Sequence, residues 1–182
     1  NRGFTMVRNK YFKPTKYIPR GNPDKIDVAL VGDANAATQR VISGQADYSN
    51  GAIPPDRIAT AKNQGHLVLR QTANTYYFWM NINEPPFNKL AVRQAVNYAI
   101  DRAALQKIVW GGLGQATQNV LPPTYPSYVK LKLYHHDVAK ARQLIQQAGA
   151  KGAKVTVRTR QVSDALDAAQ YYTSVLNSIG LD

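Results

Sequence analysis

The chain has 182 residues, 44% hydrophobic and 19% charged, a balance that excludes a disordered polymer and supports one domain with a real core. It contains no cysteine, which removes disulfides, thiolate metal sites and cysteine nucleophiles and fits an exported protein. The net charge is +12, and residues 1–25 hold Arg2, Arg8, Lys10, Lys13, Lys16, Arg20 and Lys25 against Asp24 alone. Charge of this size suits an anionic partner such as nucleic acid, or a solvated basic surface. The basic residues are spread over several elements without a compact Lys/Arg run, which favours the surface. No stretch approaches the roughly 20 apolar residues of a membrane span. The opening Asn1-Arg2-Gly3 has neither an initiator Met nor an apolar leader, so a processed chain or a piece of a longer one is expected.

Residues 3–9 alternate as a strand, with Phe4 and Met6 on one side of Thr5, and a Pro-, Lys- and Tyr-rich loop follows from Lys10 to Pro23. A second strand is predicted over Ile26–Val31. Asp33 is a suitable N-cap for a helix that aligns Ala34, Ala37, Val41 and Ile42 and stops at Gly44. Ala46-Asp47-Tyr48 reads as a short strand. Pro54-Pro55 opens a short helix carrying Ile58 and Ala61, closed by Gly65.

Leu67–Gln71 and Thr75–Ile82 are predicted strands, separated from a long helix by the stiff Pro85-Pro86-Phe87 turn. That helix is predicted as one element, with Val92, Val96, Ala99, Ile100, Ala103 and Ile108 at helical spacing before Gly111-Gly112. A long loop runs from Gly112 to Tyr134. The next helix begins at Asp137, with Val138, Ala141, Leu144, Ile145 and Ala148 inside and Gly149 as its stop. Val155 and Val157 mark a strand, and a last helix buries Leu166, Ala169, Tyr172, Leu176 and Ile179 before Gly180. Interleaved strands and helices place the chain in the α/β class, with a mixed sheet and flanking helices. Leu181-Asp182 follows a helix stop where that order calls for a strand, so residues 1–182 are expected to be a single, truncated lobe.

Catalytic constellations are not apparent. Gly111-Gly112-Leu113-Gly114 follows a helix instead of joining strand to helix, unlike a dinucleotide fingerprint, and no Gly-x-Ser-x-Gly elbow occurs. The single Glu, Glu84, stands beside Pro85, and the Asp residues suit caps and turns. His135 and His136 are neighbours and point in different directions, which argues against a metal site. A hydrolase using a carboxylate or His would need convergent geometry that no spacing here suggests.

The segment Thr75–Asn83, TYYFWMNIN, carries the clearest functional pattern. Alternation puts Tyr76, Phe78, Met80 and Ile82 on a core face and Thr75, Tyr77, Trp79, Asn81 and Asn83 on the other. The second face mixes large aromatics with amides. It suits a cleft wall, where ligand and water satisfy the polar tips, or a second core layer with internal partners.

The run Asn81-x-x-x-Pro85-Pro86-Phe87-Asn88, followed by Val92-Arg93-Gln94-Ala95-Val96-Asn97-Tyr98-Ala99-Ile100-Asp101-Arg102, resembles a signature of the extracellular solute-binding family 5, the oligopeptide, dipeptide and nickel-binding group. Further matching pieces stand in the same order: Arg8-Asn9-x-Tyr11-Phe12, Ser43-Gly44-Gln45-Ala46-Asp47, Leu121-Pro122-Pro123, Ala139-Lys140-Ala141-Arg142-Gln143-Leu144 with Ala148-Gly149, and Ile179-Gly180. The resemblance covers essentially the whole chain, and the ordered combination is more specific than any single piece.

The resemblance implies one lobe of a periplasmic-binding-protein type II-like fold in a two-lobed protein roughly three times longer. Ligand capture would be non-catalytic, by lobe closure, for an ABC-type importer. The expected partners are a peptide or other small solute and membrane permease subunits, with no cofactor and no nucleic acid. The expected location is the periplasmic or extracellular face of the cytoplasmic membrane, with a lipid anchor in the full-length protein as one option. The family's later Gly-Trp and acidic-Tyr segment, which carries the acidic group for a peptide amino terminus, would lie beyond Asp182. Family cleft positions map onto Tyr77 and Trp79, onto Ser49, Asn50 and Gly51 after Asp47, and onto Ser163 and Asp164 before the last helix. Asp164 is equally suited to an N-cap. Where some oligopeptide binders carry an acidic residue, Trp79 cannot pair with a cation by charge. Arg93, Asp101 and Arg102 are expected in local ion pairs. The alternative from another class is a basic nucleic-acid-binding module, supported by the +12 charge and the Tyr/Lys mixture of residues 8–20.

Overall fold

A computed structural model describes residues 3–70 and 72–182, apart from the side chain of Ser163. The chain divides into two compact units, Asn1–Gly51 and Ala52–Asp182.

In the first unit, β1 (Gly3–Val7) pairs antiparallel with β2 (Lys25–Ala29), setting Phe4 opposite Val28 and Met6 opposite Ile26. On the other face Thr5 Oγ1 donates to Asp27 Oδ1 at 2.6 Å and Lys25 Nζ lies 2.8 Å from Asp27 Oδ2. The Lys25 hydrogen bond, then that from Thr5, holds the Asp27 carboxyl below its ordinary range. The pairing passes one bond beyond β1, where Arg8 N–H donates to Asp24 O. The Arg8 guanidinium then forks onto Asp24 Oδ1 and the carbonyls of Gly21, Asn22 and Pro23, clamping the base of the Pro/Lys loop. Helix α1 (Ala34–Ile42) starts at Asp33, whose carboxylate accepts from Ala36 N–H at 2.7 Å. Thr38 joins its inward face, a residue that apolar spacing alone passes over. The expected strand at Ala46–Tyr48 forms no ladder among the described residues: three residues have a pattern of faces but need a neighbour to pair with.

The second unit opens with a 3-10 turn at Pro55–Arg57 that runs into α2 (Ile58–Asn63). The predicted long helix is two helices, α3 (Leu90–Ala99) and α4 (Arg102–Trp110). The break is chemical. Ile100 takes an extended conformation, and the Asp101 carboxylate accepts from Ala103 N–H and Ala104 N–H, capping α4 anew. The backbone of Asp101 is satisfied from elsewhere: its N–H donates to Tyr171 Oη at 2.9 Å, and that hydroxyl donates to Asp101 O at 3.0 Å. Gly111 ends α4 at φ 56, and a Cβ there would run into the Ile58 side chain and the backbone of Pro55.

Helix α5 (Val138–Gln147) begins at Asp137, which accepts from Lys140 N–H at 2.8 Å while its own N–H donates to Tyr98 O. Helix α6 spans Ser163–Ser178. The core joins Val92, Ala95, Val96 and Ala99 of α3 to Ala141 and Ile145 of α5, with Leu176, Ile179 and Leu181 closing it from the C-terminal side. Alanines on both contacting faces let α3 and α5 approach closely, and Ile145 is 1% exposed. On α6 the expected inward set shifts: Leu176 and Ile179 are buried, but Leu166 is 43% exposed because the core ends before the first turn of this helix.

The expected strands Leu67–Gln71 and Thr75–Ile82 form no ladder among the described residues, and Gln71 lies outside them. Val155 and Val157 do pack on the core, and their segment pairs with the chain end. Asp182 N–H donates to Ala153 O, and Asp182 O accepts from Val155 N–H, the slanted pattern of a parallel pair. Ion pairs expected at Arg93, Asp101 and Arg102 are absent among the described residues. Arg93 donates instead to Phe87 O and Asn88 O, and Arg102 to Asn97 O and Asn97 Oδ1. Burial lowers the pKa of the Arg102 guanidinium.

Two outcomes test this packing. Ile145→Ala should lower unfolding free energy in urea by about 2–5 kcal/mol, whereas Leu166→Ala should change it by no more than about 0.5 kcal/mol. The Lys140 backbone hydrogen bond, ahead of His135, lowers the Asp137 pKa. The folded state therefore binds that proton less tightly than the unfolded chain, and the stabilisation is present above the unfolded pKa and lost as pH falls through the lowered one. Asp137→Asn should accordingly flatten the acid limb of a Tm-against-pH profile measured from neutral pH downward.

Candidate functional site

Residues 76–80 are held by alternate side chains. Tyr76 stacks on Trp110 with ring centroids 5.0 Å apart, Phe78 on Tyr172 at 4.1 Å, and Met80 packs against the core. Phe78 and Met80 are the half-buried anchors, and Trp79 between them is 78% exposed; Tyr76 touches Trp110 yet is 63% exposed, close to the 66% of Tyr77 beside it. Burial of Tyr172 between Phe78 and its neighbours raises its hydroxyl pKa. Alternation therefore assigned Tyr77 and Trp79 to the outer face correctly, although the segment pairs with no strand. It fails at Tyr76, expected in the core but exposed because its ring meets Trp110 only at a tilt, and at Ile82, exposed because a turn begins there. That turn also uses Asn81, whose Oδ1 accepts from Asn83 N–H at 3.2 Å, so this amide is committed locally. Thr75, expected outward, is half-buried, and its Oγ1 has no hydrogen-bond partner among the described residues.

Ser49, Asn50 and Gly51 end the first unit as an irregular segment. Asn50 Oδ1 accepts from Tyr48 Oη at 3.2 Å, and Ser49 Oγ accepts from Gly51 N–H at 3.4 Å. Asp164 is the second residue of α6, and its carboxylate accepts from Ala165 N–H at 2.9 Å. The N-cap position belongs to Val162, which offers no side-chain cap, so Asp164 serves the helix from its first turn. The side chain of Ser163 lies outside the described residues.

An open groove of about 610 Å³ runs along α6, lined by Val157, Thr159, Gln170, Thr173, Ser174 and Asn177 among others. Its polar lining is uncharged and offers donors and acceptors of the kind an amide or hydroxyl ligand uses. A second cavity of about 310 Å³ lies at the α3–α4 break, beside Arg102. Neither includes Tyr77 or Trp79, which stand on open surface. Trp110, the anchor under Tyr76, was not singled out from the sequence; an aromatic at a helix end just before a glycine stop is the only signal it left. Among the described residues no group of three or more His and acidic side chains is placed to hold a metal ion, and no helix is long and apolar enough to cross a membrane. His135 Nε2 lies 3.6 Å from Asp137 Oδ2, a pairing at a helix start.

The chain is 32% identical over 165 residues to the di/tripeptide-binding protein 1 of Pseudomonas aeruginosa, covering 84% of this chain and 31% of that protein. It is 33% identical over 157 residues to the heme-binding protein A of Haemophilus influenzae, covering 80% of this chain and 28% of the relative. Among solved structures it resembles the ABC transporter-associated periplasmic binding protein DppA of Helicobacter pylori, in complex with the peptide STSA. That match has a TM-score of 0.81 and 25% identity, covering 99% of this chain and 35% of DppA. The chain thus spans about a third of the length of such relatives, and its fold is that of periplasmic binding proteins. Residues 1–182 match the bacterial extracellular solute-binding proteins, family 5 Middle, and the chain belongs to that family.

Proposed function

We propose that this chain is part of the ligand-capturing body of an extracytoplasmic solute-binding protein that delivers a peptide or another small solute to an ABC importer. The observation that carries this is the exposed pair Tyr77 and Trp79 on either side of Phe78, which packs on Tyr172, with Met80 next in line packed on the core. Aromatic rings fixed on a rigid base offer contact area with little entropy to lose, and their polar tips accept or donate to a ligand backbone. The names of the relatives, which bind di- and tripeptides, heme or glutathione, support a small solute. The neutral groove along α6 supports polar recognition over charge pairing.

In this reading Ala52–Asp182 is the cored part of one lobe within a longer two-lobed protein. The ligand is held between lobes, and closure presents it to the permease. Tyr77 and Trp79 form one wall, and Ser163 and Asp164 supply loop contacts. Binding is non-covalent, needs no cofactor, and takes place on the periplasmic or extracellular side of the membrane, where the full-length protein is free or lipid-anchored. A nucleic-acid role gains no support from these relatives, each of which is named for a small solute.

Calorimetry with a panel of dipeptides, tripeptides and glutathione tests this. The complete protein should bind a member of the panel with a Kd of about 1 μM or tighter, and residues 1–182 alone should bind at least about 100-fold more weakly, because half a cleft leaves the ligand in water. Micromolar binding by residues 1–182 alone would overturn the shared-cleft reading; no binding by the complete protein would overturn the solute class.

A further inference from the structure

The loop between β1 and β2 has no role in the proposed cleft, yet it is built. Arg8 clamps its base, with Nε on Asp24 Oδ1 at 2.9 Å and both terminal nitrogens on the carbonyls of residues 21–23. Asn9 Oδ1 accepts from Tyr11 N–H at 2.9 Å, forming the first corner. At the tip, Thr15 N–H donates to Ile18 O at 2.9 Å while Thr15 Oγ1 accepts from Ile18 N–H at 3.1 Å. This doubly closed turn projects Lys16 and Tyr17, and Tyr17 is 87% exposed with Ile18 beside it at 61%.

Charge on this loop is one-sided. Residues 9–23 contain Lys10, Lys13, Lys16 and Arg20 and no acidic residue. The flanking carboxylates are occupied within the hairpin, Asp24 by Arg8 and Asp27 by Lys25 and Thr5. Tyr11 and Phe12 are also exposed, and Lys10 Nζ lies 5.0 Å from the centre of the Tyr11 ring. Cations interleaved with exposed aromatic and aliphatic side chains are the composition that an anionic bilayer surface attracts: headgroups take the charges and the interface takes the rings.

We propose that the loop of residues 9–23 docks on the surface of an anionic phospholipid bilayer, with Lys13, Lys16 and Arg20 on headgroup phosphates and Tyr17 and Ile18 at the interface. The aliphatic Ile18 beside Tyr17 favours lipid over nucleic acid, since a base stacks on a flat ring whereas an exposed aliphatic chain gains by leaving water. This docking stands on the first unit alone and is independent of the solute-binding reading.

Co-sedimentation with lipid vesicles tests it. The chain should partition onto phosphatidylcholine vesicles containing about 30% phosphatidylglycerol, should not partition onto phosphatidylcholine alone, and should be released by about 0.5 M salt. Lys13→Ala/Lys16→Ala should weaken partitioning about 25-fold, at about fivefold per lysine. Tyr17→Ser/Ile18→Ser should weaken it further than salt-matched controls. Lys130→Ala/Lys132→Ala, which removes the same charge from exposed positions elsewhere, should change it by less than about twofold. Absence of binding to anionic vesicles, or an equal loss in the Lys130/Lys132 variant, would overturn the proposal. So would loop-dependent binding to a single-stranded oligonucleotide without vesicle binding.

Discussion

Val92, Ala95 and Ala99 on α3 pack against Ala141 and Ile145 on α5, and the rest of the larger unit is arranged around that contact. Small side chains on both helices bring the backbones close. Burying one Ile side chain stabilises by about 1.5–3 kcal/mol, so this seam supplies a large share of what a domain of this size has to spare. Met80 reaches the same core, and Phe78 reaches α6 through Tyr172. With those two positions committed inward, Trp79 between them and Tyr77 before them face solvent. The proposed binding surface is thus a consequence of the core, two contacts removed.

Polar groups follow a similar economy. The cations near the α3–α4 break find backbone carbonyls and an amide instead of carboxylates. Arg93 closes onto Phe87 O and Asn88 O, and Arg102 reads both oxygens of Asn97. Asp101 is thereby left to cap α4, and a single hydroxyl from Tyr171 satisfies its backbone on both sides. An ion pair of Asp101 with Arg102 would have cost α4 its cap. A chain with many more cations than carboxylates has few acids to spend, and here several of them start helices: Asp33, Asp101 and Asp137.

The helices were legible because their signals are local. Asp33 and Asp137 announce starts, Gly44, Gly65, Gly111 and Gly149 announce stops, and periodicity found Val92, Val96, Ala141 and Ile145. Failures came where the deciding partner lies far away in the chain. Asp101 looks like one more helical residue until Tyr171, 70 positions on, takes its backbone. Leu166 fits the apolar spacing of α6, but the core ends before reaching it. Alternation assigned faces to Tyr77, Phe78, Trp79 and Met80 without being able to say whether a neighbouring strand exists. The loop residues Ser49, Asn50, Gly51, Ser163 and Asp164 came from family resemblance alone, since nothing in their spacing marks a ligand. Family membership itself was legible from the ordered motifs, which the match over residues 1–182 bears out.

The proposed cleft requires Tyr77 and Trp79 to meet the solute because Phe78 and Met80 face the core. Calorimetry on the complete protein with Trp79→Ala and Tyr77→Ala tests this most directly, once each variant is found to melt within a few degrees of the parent. Each should bind the cognate solute at least about tenfold more weakly, the loss of one well-packed aromatic contact. Unchanged affinity in both variants would contradict it.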